Sequence, residues 1–294
     1  MSLSTYQLVV AIAEYGNMTR AAESLHITPS AASHAISALE DSFGFPIFHR
    51  GRSGATLTPL GQSLLPRIRT ILSEEAHLQE EISKIHGLYD GTVHIGVFNT
   101  VCTHWLPSIL RSFQTKYPNI QVRIFQDSYT AIEEKLLESA LDLSFLSLPT
   151  SDKFSTITLA HDRLVCITPS DYTPSNGSYV SNEELHSMNL ILCERGYDRT
   201  IQQFLSDHNL KTSPLHYLTL ESSIIALIEG GLACSIMPEL VLRKLPGDYK
   251  VFPLQDNIYR TIALGFLKGQ TLSPACEKMI EEIRCYVDEH LTFL

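Results

Sequence analysis

The spacing of the apolar residues changes near residue 90, and this change divides the 294-residue chain into two unlike parts. Before it, apolar residues recur at the three- and four-residue spacing of helices. From Thr92 onward, short apolar runs of strand length alternate with amphipathic segments of helix length. Strands separated by helices are typical of parallel sheets covered on both faces, and about 200 residues suffice for two small lobes. The sequence therefore predicts an α/β protein: an all-α N-terminal unit followed by a two-lobed α/β domain.

The same pattern predicts the boundaries. The N-terminal unit is expected at 1–58, a linker helix at 59–88 and the α/β domain at 92–294, with a first lobe at 92–161 and 262–294 and a second at 162–261. The predicted strands are 93–97, 122–125, 141–148, 164–168, 190–193, 217–220, 234–237 and 262–266. The predicted helices between them are 106–117, 131–140 (capped by Thr130), 182–187, 198–208, 222–230 and 275–290.

The N-terminal unit reads as three short helices within residues 4–41. Ser4 has the spacing of a capping box with Gln7, and Thr19 is expected to cap the second helix. Thr28-Pro29 opens the third, because a proline at the first helical position loses no hydrogen bond there. The second and third helices are joined by the tight connection His26-Ile27, which is typical of a helix-turn-helix. A small wing is expected next, with strands at 45–48 and 55–57 around a basic, glycine-rich tip.

One face of the third helix is polar and suits a nucleic acid. Its N-terminus at Thr28 and Pro29 suits a phosphate, and short side chains on that face can hydrogen-bond to base edges. Arginines on the wing suit phosphates or a minor groove. Because the helix face carries no Arg or Lys, specificity is expected to depend on DNA shape and on water-mediated contacts. The predicted DNA-contacting residues are Thr28, Pro29, Ser30, Ser33, His34, Ser37, Arg50 and Arg52.

Charge is unevenly distributed along the chain. The formal net charge is −10, yet residues 1–72 carry five basic and four acidic side chains. Nucleic-acid binding depends on the local field of one face, so the negative total does not exclude it. The alternative for this unit is a three-helix interaction domain with a polar face.

Thr58-Pro59 repeats the helix-start signal and opens a long helix. Its apolar residues follow the alternating spacing of a coiled-coil seam over about two and a half heptads. A dimer helix is therefore expected, and packing against its own domain is the alternative. Pro66 lies inside this helix and is expected to kink or break it. The seam consists of Ile68, Ile71, Leu78, Ile82 and Ile85, with Glu75 at one position.

Polar side chains follow the predicted strands of the α/β domain. In open α/β sheets, ligands bind beyond the carboxyl ends of the strands, so these residues are candidates to contact a small molecule. Arg195 is the candidate partner for a carboxylate, although Glu194 and Glu221 could neutralise it. The alternative for several of the others is helix capping. The predicted ligand-contacting residues are Asn99, Thr100, Ser128, Tyr129, Ser147, Arg195, Tyr197, Glu221 and Ser222.

Specific motifs extend along essentially the whole chain. The N-terminal motif is Thr19-x-Ala21-Ala22-x-x-Leu25-x-Ile27-Thr28-Pro29-Ser30-x-x-Ser33-x-x-Ile36-x-x-Leu39-Glu40, then Gly44-x-x-x-Phe48-x-Arg50 and Leu57-Thr58-x-x-Gly61. The C-terminal motifs are Leu106-Pro107 with Phe113, Tyr117-Pro118, Leu141-Asp142-Leu143, and Gly230-Gly231-Leu232 with Met237-Pro238. Together these motifs resemble those of the LysR-type transcriptional regulators.

This resemblance implies a winged helix-turn-helix, a dimerising linker helix and a two-lobed domain similar to periplasmic solute-binding proteins. It also implies a homodimer or homotetramer that binds double-stranded DNA and responds to a small-molecule effector, with RNA polymerase as a further partner. Lobe closure is expected about hinges near 161–163 and 259–262. The chain departs from the family pattern at three positions. Pro29 stands where the family often has Gln, and His34 stands where it often has a basic residue. Pro66 interrupts the linker helix.

Other functions have weaker support in the sequence. Motifs for a serine hydrolase, a P-loop and a zinc protease are absent, so no enzymatic activity, metal or cofactor is expected. Cys102 and His104 are a candidate nucleophile and its base, but two residues this close on a helix point in nearly opposite directions, so this pair is not expected to act in catalysis. A redox sensor using Cys166 and Cys193 remains the alternative regulator, and a small-molecule-binding protein or enzyme remains the more distant one. No run is long enough to span a membrane and no signal peptide is evident, so a cytoplasmic protein is expected.

Overall fold

The N-terminal unit is a helical bundle that carries a two-stranded wing. The computed structural model describes residues 2–51, 54–86, 89–192, 199–211, 218 and 220–290. The bundle packs its helices around a core that includes Leu8, Ile12 and Ile36, all essentially inaccessible to solvent. Its elements are α1 Leu3–Tyr15, α2 Met18–Ser24, α3 Pro29–Phe43, β1 Phe48–Gly51, β2 Gly54–Leu57 and α4 Pro59–Ile85.

Two helix starts agree with the sequence analysis. The Thr28 hydroxyl accepts a hydrogen bond from the Ala31 amide at 3.2 Å and caps α3. The Thr58 hydroxyl likewise accepts from the Gly61 amide at 3.0 Å and caps α4. In both cases proline occupies the first turn, where its missing N–H leaves no acceptor unsatisfied.

Two other predicted caps in the bundle are wrong. Ser2, not Ser4, caps α1 by accepting from the Thr5 amide. Asn17, not Thr19, caps α2, because its side-chain oxygen accepts from the Thr19 and Arg20 amides. Asn is as effective a cap as Ser, and Asn17 has the extended backbone that a cap requires.

The wing folds back against the turn between α1 and α2. Strand β1 begins at Phe48, three residues later than predicted, and pairs antiparallel with β2 from Phe48↔Leu57 to Gly51↔Gly54. The Ala55 amide donates to the Gly16 carbonyl at 2.9 Å. A Cβ at residue 54 would collide with that carbonyl, so this close approach requires Gly54.

Helix α4 continues across Pro66 without a break, contrary to that part of the prediction. Ile68 is buried in the core of the helical unit. The rest of the apolar seam remains exposed on a single chain, namely Ile71, Leu78, Ile82 and Ile85.

The α/β domain is built on a mixed sheet with the strand order β4-β3-β5-β9-β6-β7, and β8 pairs with β6. Its strands are β3 Gly91–Val97, β4 Ile120–Gln126, β5 Leu143–Leu148, β6 Phe154–Pro169, β7 Ser235–Pro238, β8 Tyr249–Pro253 and β9 Tyr259–Leu267. Its helices are α5 Asn99–His104, α6 Leu106–Lys116, α7 Tyr129–Leu137, α8 Asn182–Ser187, α9 Arg199–Asp207, α10 Glu221–Glu229, α11 Glu239–Leu242 and α12 Pro274–His290.

The sheet is only partly parallel, so that prediction is partly wrong. Strands β3, β4 and β5 are parallel, whereas β9 runs antiparallel to both β5 and β6. The first half of β6 was not predicted, because its polar and apolar residues largely alternate and form no apolar run. Strand β8 was not predicted either. The predicted strand at 190–193 is reduced to a single bridge between Leu190 and Cys234, and only Leu218 and Leu220 of 217–220 lie within the described residues.

Strands β6 and β9 join the two lobes. They pair across the junction at Asp162↔Arg260 and Arg163↔Tyr259, which lie in the segments predicted as hinges. One hydrophobic core, with Trp105, Phe113 and Phe145, supports the first lobe. Separate clusters support the second lobe, one around Phe204 and one around Ile228. The lobes thus have largely separate cores, although Leu240 of α11 packs into the first-lobe core, and two strands connect them.

Helix α7 begins two residues earlier than predicted. Ser128, rather than Thr130, accepts a hydrogen bond from the Ala131 amide and caps the helix.

Among the described residues, no helix combines the length and apolar composition needed to cross a bilayer. The same part of the chain contains no cluster of three or more His, Cys, Asp or Glu side chains placed to bind a metal.

The second lobe contains a carboxylate that organises the start of α8. Glu184 accepts hydrogen bonds from the amides and hydroxyls of Ser175 and Ser181, at 2.7–2.9 Å, and from the Tyr172 hydroxyl at 3.2 Å. The Ser175 and Ser181 amides stabilise the charged carboxylate, and they lower the pKa of Glu184 to about 2.

We predict that Glu184→Gln lowers the free energy of unfolding at pH 7, because an amide oxygen replaces a charged acceptor. A depressed folded-state pKa stabilises the protein above the unfolded pKa, and that stabilisation is lost as pH falls toward 2. The difference between wild type and Glu184→Gln in urea unfolding should therefore narrow below about pH 4.5. Glu183→Gln, at an exposed neighbouring position, is the matched control. A difference that does not depend on pH would contradict the assignment.

Candidate functional sites

Helix α3 has one buried and one accessible face. Ala32, Ile36 and Leu39 pack into the core of the helical unit. The opposite face contains the predicted DNA-contacting residues: Thr28, Pro29, Ser30 and His34 are exposed, and Ser33 and Ser37 are half-buried. The structure therefore brings these residues together on one accessible surface at the start of α3.

Arg50 projects from the wing onto this surface rather than away from it. Its guanidinium donates to the Glu40 carboxylate at 2.7 Å and to the hydroxyls of Ser33 and Ser37 at 3.3 Å. Sequence reasoning assigned Arg50 to phosphates or a minor groove, whereas in the structure its donors are used within the protein. Arg52 lies outside the described residues.

Glu40 is the residue that sequence reasoning missed at this surface. One carboxylate oxygen accepts from the Arg50 guanidinium, and the other accepts from the amides of Ile47 and Phe48, at 2.8 and 3.1 Å. It thus fixes the beginning of β1 to the end of α3. The only sequence signal was its place in the Leu39-Glu40 motif, which carries no indication of a distant partner.

A small cavity of about 50 Å³ lies between the two lobes. It is mostly apolar, and residues of both lobes form its wall. Four of the predicted ligand-contacting residues line it: Asn99, Thr100, Tyr129 and Glu221. The other lining residues are Phe98, Leu192, Ile201, Gln202, Ile236, Met237, Pro238, Val241 and Arg260.

Arg260, which lines this cavity, forms a buried ion pair with Asp162. The Arg260 guanidinium donates to the Asp162 carboxylate and, at 2.7 Å, to the Tyr129 hydroxyl. It also lies 5.1 Å from the centre of the Phe98 ring, within the range of a cation–π contact. Asp162 in turn accepts from the Leu240 amide at 3.0 Å. Arg260 was missed because it falls just before the predicted strand at 262–266.

Hydrogen bonds cross directly from one lobe to the other around the cavity. The Asn99 side-chain amide donates to the Glu221 carboxylate at 2.9 Å. The Lys244 ammonium donates to the Thr103 carbonyl at 2.7 Å. Arg199 donates to both oxygens of Glu133 at 2.9 Å. The two lobes are therefore held together by polar contacts that a ligand could replace or reinforce.

The remaining predicted ligand-contacting residues lie elsewhere. Ser222 lines a neighbouring cavity rather than this one. Ser128 caps α7, as its alternative interpretation supposed, and Ser147 is buried within β5. Arg195 and Tyr197 lie outside the described residues.

The thiols in the part of the chain that the structure describes have little nucleophilic character. Burial raises the pKa of the Cys166 thiol well above its usual range, so this residue stays protonated. Cys193, its proposed redox partner, lies outside the described residues. Burial also raises the pKa of Cys102. The pKa of His104 is lowered, first by burial and then by the positive charge of Lys244. An uncharged thiol is a weak nucleophile.

Two family models match the chain. Residues 3–62 match the bacterial regulatory helix-turn-helix protein of the lysR family, and residues 86–288 match the LysR substrate binding domain. A helix-turn-helix joined to a substrate-binding domain defines a DNA-binding regulator that responds to small molecules. The chain belongs to the LysR family of transcriptional regulators.

Similar proteins share this architecture. The Synechococcus elongatus protein described as a probable HTH-type transcriptional regulator LrrA is 27% identical over 285 residues, which is 97% of each chain. The structure resembles a full-length variant of OxyR from Pseudomonas aeruginosa with a TM-score of 0.78 at 22% identity, covering 97% of this chain and 98% of that one. It also resembles full-length CbnR complexed with its target DNA, with a TM-score of 0.66 at 21% identity, covering 97% and 100%. The structural similarities show a shared fold.

We predict that Arg50→Ala weakens specific DNA binding roughly tenfold without changing its salt dependence. Each lost phosphate contact would reduce the slope of log K against log salt by about 0.9, whereas an internal contact leaves the slope unchanged. Glu40→Gln should have a similar effect, and the double variant should lose little more than either single variant. The measurement is a DNA titration by fluorescence anisotropy at several salt concentrations.

Glu23→Gln, at an exposed position on α2, is the control for changing one carboxylate in the helical unit. If Arg50→Ala reduced the slope by about one, Arg50 would contact a phosphate and the internal role would be wrong.

Proposed function

We propose that this LysR-family regulator binds specific DNA through α3 and the wing, and that a small molecule between its two lobes changes how it binds. The observation that carries this proposal is the inter-lobe cavity, whose wall is shared by both lobes and crossed by their hydrogen bonds. A ligand there contacts both lobes at once. It shifts the equilibrium between lobe arrangements in proportion to its different affinity for them.

On the DNA side, the N-terminus of α3 meets the phosphate backbone and its polar face meets base edges in the major groove. Their exposure on one face supports this assignment. Arg52 from the wing approaches a phosphate or the minor groove, while Arg50 positions the wing. The proposed DNA-contacting residues on α3 are Thr28, Pro29, Ser30, Ser33, His34 and Ser37.

On the effector side, we propose that Asn99, Thr100, Tyr129 and Glu221 contact the ligand, and that Arg195 and Tyr197 approach it from the second lobe. Thr100 is buried and polar on an otherwise largely apolar wall, which supports a role in orienting a ligand. Closure occurs about the β6 and β9 crossings at 161–163 and 259–262.

The contacts of α4 supply a route from the α/β domain to the DNA-binding unit. The Glu80 carboxylate accepts a hydrogen bond from the Ala275 amide at the start of α12, at 3.2 Å. Arg69 donates to the Glu138 carboxylate at the end of α7, at 3.2 Å. Movement of the first lobe therefore acts directly on α4, to which the DNA-binding unit is joined.

We propose that the unit 1–58 binds DNA, 59–88 dimerises and 92–294 binds the effector, with its lobes divided as the sequence analysis expects. The regulator acts in the cytoplasm as a homotetramer and has no catalytic activity. The high pKa of the Cys166 thiol favours ligand binding over thiol oxidation as the signal.

The DNA-binding proposal predicts a discrete complex with a fragment from upstream of the protein's own gene. The complex should weaken steeply with salt in a gel mobility assay, because phosphate contacts release counterions. His34→Ala should reduce the preference for that fragment over unrelated DNA, since His34 is exposed on the polar face of α3. Absence of a complex at every salt concentration would overturn the assignment at that site.

A thermal-shift screen of small metabolites with the full-length protein identifies effectors. Their effect on the DNA complex is then measured in the gel mobility assay. Thr100→Val should reduce the shift produced by an effector, because it removes a buried hydroxyl from the cavity wall. Thr115→Val, at an exposed position on α6, is the matched control. If both variants responded equally to every effector, the ligand would bind elsewhere.

We also predict that Leu78→Lys with Ile82→Lys lowers the oligomeric mass, because both side chains belong to the exposed apolar seam of α4. Gln62→Lys, on the same helix but outside the seam, should leave the mass unchanged. Sedimentation velocity distinguishes these outcomes, and an unaltered mass for the double variant would show that copies associate through another surface.

A further inference from the structure

Helix α7 contacts three other parts of the molecule along its length. It has nine residues and is therefore about 14 Å long. Its first residue lies at the lobe junction, because the Arg260 guanidinium donates to the Tyr129 hydroxyl at 2.7 Å. Its middle contacts the second lobe, and its C-terminal end contacts α4. One short helix therefore connects the lobe junction to the helix that carries the DNA-binding unit.

The contact between α7 and the second lobe is a bidentate ion pair. Arg199, the first residue of α9, donates to both carboxylate oxygens of Glu133 at 2.9 Å. Glu133 is 8% exposed and also accepts from the Thr150 hydroxyl at 2.8 Å. Two parallel hydrogen bonds between an arginine and a carboxylate fix orientation as well as distance. A displacement of α9 therefore acts on α7 through this pair.

A second arginine joins the other end of α7 to α4. Arg69 donates to the Glu138 carboxylate at 3.2 Å and to the carbonyl of the same residue at 3.4 Å. Its guanidinium also lies 4.0 Å from the Glu14 carboxylate on α1. The hydroxyls of Thr70 and Ser139 are hydrogen-bonded to each other beside it, at 3.2 Å. Arg69 thus links the end of α7 to a helix of the DNA-binding unit.

The remaining contacts of α7 allow a small shift of the whole helix. Ile132 and Leu136 are fully buried and pack into the core of the first lobe. Apolar packing has no preferred direction, and packed helices slide by small amounts when domains move. The ion pairs of Glu133 and Glu138, by contrast, have defined partners. A shift of α7 therefore follows its charged contacts.

We propose that α7 transmits movement of the second lobe to the DNA-binding unit, through Glu133–Arg199 at one end and Glu138–Arg69 at the other. In the described part of the chain, neither pair lines the cavity assigned to the ligand. A ligand that moves the second lobe displaces Arg199, and α7 carries that displacement to Arg69. The effect on DNA binding rests on the proposed function, whereas the coupling of α9 to α4 does not.

Hydrogen exchange of the full-length protein tests this coupling without a ligand. Arg199→Gln should increase the exchange of backbone amides in α4 around Arg69, although the replaced residue lies in the second lobe. Lys244→Met is the matched control, because Lys244 also donates across the lobes but bonds to the Thr103 carbonyl in α5, at 2.7 Å, rather than to α7. This control should leave the exchange of α4 unchanged.

A DNA titration by fluorescence anisotropy tests the consequence for the DNA-binding unit. Arg199→Gln should weaken specific binding roughly fivefold, at the low end of allosteric coupling, because the spacing of the DNA-binding units becomes less defined. In a Glu138→Ala background the same substitution should have almost no further effect. The reversed pair, Glu133→Arg with Arg199→Glu, should restore binding, which a mere loss of stability would not allow.

Two outcomes would overturn the proposal: unchanged exchange of α4 in Arg199→Gln, or an equal increase in Lys244→Met. In the second case the coupling would run through the lobes in general and not through α7. Arg199→Lys is the second variant should Arg199→Gln fail to fold. It keeps the charge but loses the paired geometry, so its effect should be smaller and in the same direction. Increased exchange of α4 without any change in DNA affinity would support the coupling and count against the proposed function alone.

Discussion

The buried pair between Asp162 and Arg260 is the interaction on which the two-lobed domain depends. It lies where β6 and β9 pass from one lobe to the other, and each side chain is 2% exposed. Removing one member of such a pair leaves an unpaired charge in the interior, which costs about 3–5 kcal/mol. Because Arg260 also holds the Tyr129 hydroxyl and Asp162 holds the Leu240 amide, the pair fixes both walls of the cavity relative to the crossing strands.

Buried and partly buried charged side chains also join α4 to the first lobe. Glu80 is buried against the start of α12, and its carboxylate packs so closely on Gly91 that a Cβ there would overlap it. Gly91 has a positive φ, so the chain enters β3 in a conformation that other residues adopt with strain. Arg69 adds a second attachment at Glu138. Glu80 and Arg69 therefore attach α4 to the first lobe at two points, and through α4 the first lobe is connected to the DNA-binding unit.

Local signals in the sequence predicted the start of α3 and α4, because a Thr-Pro pair needs only its own first turn to act as a cap. The polar residues after β3 and at the start of α10, namely Asn99, Thr100 and Glu221, line the cavity between the lobes. Arg50 and Arg260 could not be assigned in the same way. Their partners Glu40 and Asp162 are 10 and 98 residues away, and only the folded chain shows which charge each one meets. The antiparallel direction of β9 is similarly a property of the whole sheet.

These internal ion pairs restrict how the protein attracts DNA. Residues 1–72 contain five arginines and no lysine. Arg50 is bound to Glu40, and Arg69 is bound to Glu138. Affinity for DNA at physiological salt comes largely from neutralised phosphates, so one helical unit with so few available cations binds weakly. Linking two or more units through α4 raises the effective concentration of the second unit after the first has bound. In the proposed function, where copies associate through α4, the exposed seam of α4 is therefore as necessary for DNA binding as the polar face of α3.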